Sequence, residues 1–349
     1  MSDVNIYGFL NSEHVLPNEP LLTLEGPLVK IQILESTLLN LTNYPTLISS
    51  LALKLRSIKG LENKIFVEDG CKHAQSPNGA LLGMKYSTIG GVDQSTFLLG
   101  SKLFNIDLFQ KTSKIDEEIE LSSIGLTEED FIYEGKNLIQ NVIDIISKES
   151  YEKIKNSLWK RLYPLVLSIS GKKFAYEVCN EQNIDEEIYL FALCCIAVKD
   201  LNLIRDYFYI ANYLDSSHKT TEINSKITKI FNELGLDRHN LKILIRYNPL
   251  ILQDYSNLMN KINYEDFDGL LLGTEFTVSQ THPALGMVYK ITEINNKPCL
   301  KFSEEKEKQT IPGNKKVIRL FSENENFISD VLCLKEEEKI IIDLNEIEV

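Results

Sequence analysis

Long apolar runs are missing from this chain. None reaches the ~18 consecutive apolar residues of a membrane-spanning helix, so no membrane is expected as a partner. Positive charge is also in deficit: 37 Lys and Arg stand against 50 Asp and Glu, for a net charge of −13. A surface of that sign repels phosphate backbones and anionic lipid, which argues against direct DNA binding. Cysteine is scarce, and Cys71, Cys179, Cys194, Cys195, Cys299 and Cys333 show neither Cys-x-x-Cys nor Cys/His spacing. Reduced, buried thiols in a cytoplasmic protein are the expectation. The histidines are equally dispersed, with His14, His218, His239 and His282 in polar, turn-like contexts, so no metal site is expected. The opening residues MSDVNIYGFLNSEHV carry neither the basic segment nor the apolar stretch of a secretory leader. Tryptophan occurs once, and Trp159, beside Leu158 and Leu162, reads as core packing.

What is present suffices for a sizeable core: 43% of 349 residues are hydrophobic, enough for one large domain or two ordinary ones. Val4, Ile6, Tyr7 and Phe9 alternate with polar residues and predict short strands, broken by Pro17 and Pro20 before LLTLEG. From Pro27 the period changes. Leu28, Ile31, Leu34, Leu38 and Leu41, then Leu47, Leu51 and Leu55, recur at helical spacing and predict two packed helices parted near Asn43-Tyr44-Pro45. Lys64 to Glu68 (KIFVE) reads as a buried strand entering a loop and then a helix. Thr127 with Glu128, Glu129 and Asp130 marks a helix start, one or two amphipathic helices follow over 135–163, and Asn183 with Glu186 opens another through Val198. YFYI at 207–210, KILIRY at 242–247 and GLLLG at 269–273 read as buried strands, the first two separated by a helical stretch over 221–234. Strands alternating with helices imply an α/β architecture, and their shortness suits a barrel. Beyond Phe276 alternation returns in MVYKITEI, KPCLKFS, KKVIRLF, FISDVLCL and EKIIIDL, which predicts a second, strand-rich domain.

Three ordered blocks carry a more specific signal. They are PNEPLLTLEGPL (17–28), VEDGCKHAQSPNGALLGMKYSTIGGVDQSTFLLG (67–100) and SQTHPALGMVYKITEINNKPCLKFSEEKEKQTIPGNKKVIRLF (279–321). Together they resemble the nicotinate phosphoribosyltransferase family, and weaker similarity extends the match from about Val4 to Leu334. The resemblance implies a type II phosphoribosyltransferase-like irregular α/β barrel with a β-rich domain built from the N- and C-terminal segments. Residues 1–28 would supply the first strands of the β-rich domain, 29–275 a helical bridge and the barrel, and 276–349 the remaining β-rich part. It further implies a homodimer with sites at the subunit boundary, and chemistry that joins nicotinate to 5-phosphoribosyl 1-diphosphate with Mg²⁺, coupled to ATP through a phosphohistidine.

That chemistry needs a neutralised pyrophosphate and carboxylates near the ribose. Where the family has Leu-Arg-Arg-Ala-Gln, this chain has Cys71-Lys72-His73-Ala74-Gln75, so its positive charge is only partly kept. Gly90, Gly91 and Asp93 match a family loop leading into a helix, where backbone N–H groups meet an anion; a plain turn and helix cap is the competing interpretation. Gly273-Thr274 matches a phosphate-cradling turn at the end of a barrel strand. The losses are larger. Ser113 falls where the family's phosphorylated histidine lies, and a serine hydroxyl does not replace an imidazole as phosphoryl carrier. Ile210 to Tyr213 stand where the family's Asp-Ser-Gly-Asp motif places two carboxylates, and Asp206 and Asp215 are displaced along the strand. The family's opening segment, which recognises the nicotinate ring, has no counterpart before Met1.

Three readings follow. A degenerate homologue kept for binding or as a subunit of a larger assembly uses no cofactor. An active nicotinate phosphoribosyltransferase of NAD salvage would work in a reorganised pocket with Lys72, His73, Asp93 and Gly273-Thr274. A sensor would retain a phosphate or nucleotide ligand without turning it over. The count of surviving catalytic groups favours the first, with the hydrophobic strand KIIIDL as one candidate contact.

Overall fold

The structure, a computed structural model, describes residues 3–9, 13–109, 121, 125–167, 173–177, 183–201, 206–212, 217–238, 240–247, 263–279, 282–300, 302, 309 and 311–338. The chain divides into two compact units, one of Met1–Tyr44 with Ala284–Val349 and one of Pro45–Pro283.

The first unit is strand-rich and drawn from both ends of the chain. Strand β1 (Asn5–Gly8) pairs antiparallel with β2 (Leu22–Glu25), and β14 (Lys315–Phe321) pairs antiparallel with β15 (Phe327–Leu334). Polar ties join the two ends: Asn314 Nδ2 and Lys335 Nζ donate to Glu25 Oε1 at 2.7 and 3.0 Å. The Asn314 bond is the main cause holding the Glu25 carboxyl below its ordinary range. Asn43 exchanges both amide bonds with the Leu285 backbone, at 2.8 and 2.9 Å.

Two sequence expectations need correction here. MVYKITEI and KPCLKFS contribute only β12 (Glu293–Ile294) and β13 (Lys297–Pro298), because Asn295 and Asn296, at φ 49° and 60°, close a tight two-residue hairpin. Instead of two helices parted near Pro45, one helix α1 runs from Leu28 to Arg56 through that proline. Proline at position 45 removes only the N–H that would pair with Leu41 O, and the turns on either side carry added side-chain bonds, Thr42 Oγ1 to Leu38 O at 2.7 Å and Ser49 Oγ to Pro45 O at 2.6 Å. The EKIIIDL stretch lies almost wholly outside the described residues.

The second unit is built on a sheet whose members among the described residues are β3 (Ile65–Glu68), β4 (Gln94–Ser95), β5 (Asp107–Leu108), β8 (Lys173–Glu177), β9 (Asp206–Asn212), β10 (Leu241–Tyr247) and β11 (Gly269–Leu272). A separate antiparallel pair, β6 (Ile132–Tyr133) and β7 (Lys136–Asn137), lies between β5 and β8 in the chain. The seven sheet strands run in the order β5-β4-β3-β11-β10-β9-β8, and every pairing is parallel. The sheet curls as a part-barrel. Phe109, just past one edge strand, meets Phe208 of β9 edge-to-face at 5.0 Å. Val67, Phe109, Ala175, Phe208, Ile210, Leu244 and Leu271 fill the inside of the curl. The alternate residue Tyr209 faces the other way and packs on Tyr176 of the neighbouring strand and on Phe191, which in turn meets Phe231, as strand periodicity requires.

Connecting helices cover that outer face. Helix α2 (Pro77–Ile89) starts with Ser76 accepting from Gly79 N and with Pro at its first position, and α3 (Leu98–Phe104) follows β4. The amphipathic stretch over 135–163 is two helices, α4 (Leu138–Ile146) and α5 (Lys148–Leu167). The Thr127 cap instead opens a single 3-10 turn, Glu128–Phe131, closed reciprocally by Asp130. Helix α6 (Ile184–Val198), capped by Asn183, is buried over nearly its whole length, and α7 (Ser217–Glu233) sits between β9 and β10 in the chain. Beneath α6 the Arg161 guanidinium forks onto Glu187, which also accepts from Tyr176 Oη at 2.7 Å. Trp159 is in the core as expected, its Nε1 donating to Tyr151 Oη at 2.8 Å. Cys194, Cys195 and Cys333 are buried thiols, whereas Cys71 and Cys299 are half-exposed, and Cys179 lies outside the described residues. Among the described residues no helix is long and apolar enough to cross a membrane.

Candidate functional site

Parallel pairing throughout puts the carboxyl ends of all seven strands on one edge, where curled α/β sheets bind ligands. The strand bodies are apolar and the residues just past them are not. β3 ends in Glu68 and Asp69, β4 in Ser95 and Thr96, β10 carries Arg246, and β11 runs into Gly273-Thr274 and the short helix α8 (Glu275–Val278).

Glu68 is fully buried and accepts from three donors: Gly70 N at 2.6 Å, Ser95 Oγ at 2.7 Å and Thr277 Oγ1 at 3.0 Å. It therefore ties β3 to β4 and to α8. Burial pushes its carboxyl above the ordinary range, and these three bonds offset only part of that rise. Asp69 is held as firmly. Its N–H donates to Leu272 O at 2.7 Å, and its carboxylate accepts from Thr96 Oγ1 (3.0 Å), Arg246 Nη2 (3.2 Å) and Lys72 Nζ (3.5 Å). Gly70 is required between them: a Cβ there would lie 2.2 Å from Thr277 Oγ1 and 2.7 Å from Gly273 O. Cys71 follows on the 3-10 turn Cys71–His73, and its thiol is pushed up by burial, with Glu68 and Asp69 adding to the effect. Glu68 and Asp69 thus place negative charge beside this thiol.

The sequence candidates separate into two groups. Lys72, His73, Gly273 and Thr274 come together at the carboxyl edge, with Lys72 and His73 exposed on the turn. Gly90, Gly91 and Asp93 do not join them. Gly90 ends α2 with its backbone against Ser49 O, where a Cβ would come within 2.2 Å, and Gly91 takes φ +109°. Asp93 accepts from Arg56 Nη2 at 2.8 Å and from Phe66 N at 2.7 Å, at the amino end of β3. Arg56 also donates to the carbonyls of Leu61, Lys64 and Gly91 and lies over the Phe66 ring, 3.8 Å from its centroid. The Gly-Gly-Val-Asp run is therefore a helix end latched by an arginine, and only its continuation, Ser95 and Thr96, reaches the carboxyl edge. Ile210 points into the barrel core. Ser113 and Tyr213 lie outside the described residues.

Ser95 and Thr96 entered the sequence reading as the end of the loop run that starts at Gly90, within the 67–100 block, whereas Glu68, Asp69, Arg246 and Thr277 were not singled out. Two signals were legible: an apolar strand ending in consecutive acids before a glycine, and one arginine inside the otherwise apolar KILIRY.

The fold is that of a type II phosphoribosyltransferase. The human nicotinic acid phosphoribosyltransferase structure superposes with a TM-score of 0.66 at 18% identity, over 96% of this chain and 65% of that one. A nicotinate-nucleotide pyrophosphorylase from Pyrococcus furiosus follows at 0.59 and 16%, over 96% and 69%. No family model matches the chain. The sequence relatives are more particular: nicotinate phosphoribosyltransferase 1 of Arabidopsis thaliana is 28% identical over 351 residues, 95% of this chain and 61% of that protein. The Caenorhabditis elegans nicotinate phosphoribosyltransferase is 27% identical over 367 residues, again 61% of its length. This chain is a divergent homologue of the nicotinate phosphoribosyltransferases, spanning about three fifths of the length of those relatives.

Proposed function

We propose that this protein is a nicotinate phosphoribosyltransferase homologue that does not carry out the transfer and acts instead through binding or assembly. The observation that carries this reading is the internal neutralisation of the carboxyl edge. Lys72, on the turn after β3, and Arg246, on β10, both donate to Asp69. Glu68 is buried under three donors of its own. At β9 the residue aligned with the first carboxylate of the family motif, Ile210, is part of the apolar core. Leaving pyrophosphate needs positive charge aimed at it, and an oxocarbenium-like ribose needs a nearby anion. Among the described residues, the Lys72 and Arg246 cations are directed to Asp69, and the Asp69 carboxylate is directed to them. Mg²⁺ fits the donor set poorly, because Glu68 receives hydroxyl and amide donors and Asp69 receives two cations, so no step is assigned to a metal or to ATP.

The test is formation of nicotinate mononucleotide from nicotinate and 5-phosphoribosyl 1-diphosphate, with Mg²⁺ and ATP, by the purified protein. No product above a protein-free control is expected. One observation favours the active alternative: Lys72, His73, Gly273 and Thr274 do share an edge. Product formation lost in Lys72→Ala would establish that reading. A cytoplasmic location and association as a homodimer or within a larger protein assembly belong to the same proposal. They are supported by the three reduced, buried thiols and by the exposed Leu98, Leu99 and Leu103 on α3. A mass in solution above that of one 39.9 kDa chain is the expected result for association.

A further inference from the structure

We infer that Asp69 is a built-in anion, whose carboxylate holds the place between Lys72, Arg246 and Thr96 that a phosphoryl oxygen of a ligand would need, and that it closes this edge to pyrophosphate-like anions. The inference rests on the reading of the carboxyl edge as the site, and it names what keeps that site closed.

The geometry is that of an anion site already filled. A hydroxyl, a guanidinium and an ammonium converge on one carboxylate, the combination that phosphoryl groups attract. Asp69 cannot easily withdraw, because its own N–H is fixed to Leu272 O at 2.7 Å and the Asp69 side chain is only 8% exposed. Its two cationic partners reach the surface, Lys72 at 53% and Arg246 at 28% exposure, where an anion from solvent meets them. Burial, with Glu68 and Asp69 adding negative charge beside it, holds the Cys71 thiol in its neutral form. An approaching pyrophosphate therefore meets two cations already compensated by Asp69, with Glu68 behind them. Removing the Asp69 charge leaves the Lys72 ammonium, the Arg246 guanidinium and the Thr96 hydroxyl converging where that carboxylate stood.

The experiment is calorimetric titration of inorganic pyrophosphate, at low ionic strength, into the full chain and its variants. Asp69→Asn, which keeps the shape and removes the charge, is expected to bind about tenfold tighter or more than the parent. That gain should shrink as salt is added and vanish in Asp69→Asn combined with Arg246→Gln. Asp69→Glu should bind no better than the parent. Asp69→Asn with an unchanged circular dichroism spectrum and no gain in affinity would overturn the inference. If Asp69→Asn does not fold, Asp69→Ser reports the same quantity, and saturable low-micromolar binding by the parent overturns the inference whatever the variants do. A transfer assay on the same preparations keeps the two proposals apart: product made by the parent contradicts the proposed function, while the affinity ratio alone judges Asp69.

Discussion

Glu68 and Glu187 show two ways a carboxylate survives burial, and the two respond differently to substitution. Glu68 has no cation against it in the hydrogen bonds that hold it, and burial raises its carboxyl above 4.5. The folded protein therefore holds the proton more tightly than the unfolded chain does. This contribution to stability is fully present below 4.5 and is lost as pH rises through the folded-state value. Glu68→Gln fixes the neutral form, so urea unfolding across that window should show a shallower fall in stability with pH than the parent; an identical slope would mean that Glu68 is ionised in the fold. Glu187 is instead paired. Burial, the largest single influence on its partner Arg161, pushes that guanidinium down, but the hydrogen bonds and charges of Glu187 and Tyr176 together outweigh burial and drive it above its ordinary range. Glu187→Ala strands a guanidinium that is 6% exposed, which should cost about 3–5 kcal/mol in urea unfolding. A loss below about 1 kcal/mol would mean that water reaches Arg161.

At the scale of elements, the meeting of β3 and β11 positions everything at the carboxyl edge. Gly269 begins β11 directly against β3, and a Cβ there would lie 2.1 Å from Ile65 O and 2.8 Å from Ile65 Cβ. Both contacts are with the strand itself, so Gly269→Ala must part the strands rather than move one side chain. We expect a lower midpoint in thermal unfolding, by more than the about 1 kcal/mol typical of single substitutions, and loss of protection at the Asp69 amide in hydrogen exchange. An unchanged midpoint would show that β11 can slide. Elements of this kind were well marked in the sequence wherever the apolar pattern was long: β3, β9, β10, β11, α6 and α7 lie where the spacing put them. Short elements were not, since β4 and β5 have two residues each and carry no periodicity. Pro45 misled because a helix tolerates one missing donor when both flanking turns are held. The candidate site was half legible. Lys72 and the Gly273-Thr274 turn followed from motif resemblance, but Gly90 and Asp93 belong to the amino end, and which end of a strand a loop occupies depends on pairing direction. Arg246 meets Asp69 across 177 residues of sequence, and no local pattern reports such a contact.

For the whole molecule, the fold is shared with the human nicotinic acid phosphoribosyltransferase at 18% identity, while at the carboxyl edge Lys72 and Arg246 are engaged by Asp69. A shared fold does not fix function, which depends on the site. The most direct measurement is a transfer assay on the purified chain, following the conversion of nicotinate and 5-phosphoribosyl 1-diphosphate to nicotinate mononucleotide and pyrophosphate. The expected result is a rate indistinguishable from the protein-free control, unchanged by Lys72→Ala. Sustained product formation that Lys72→Ala abolishes would contradict the proposal.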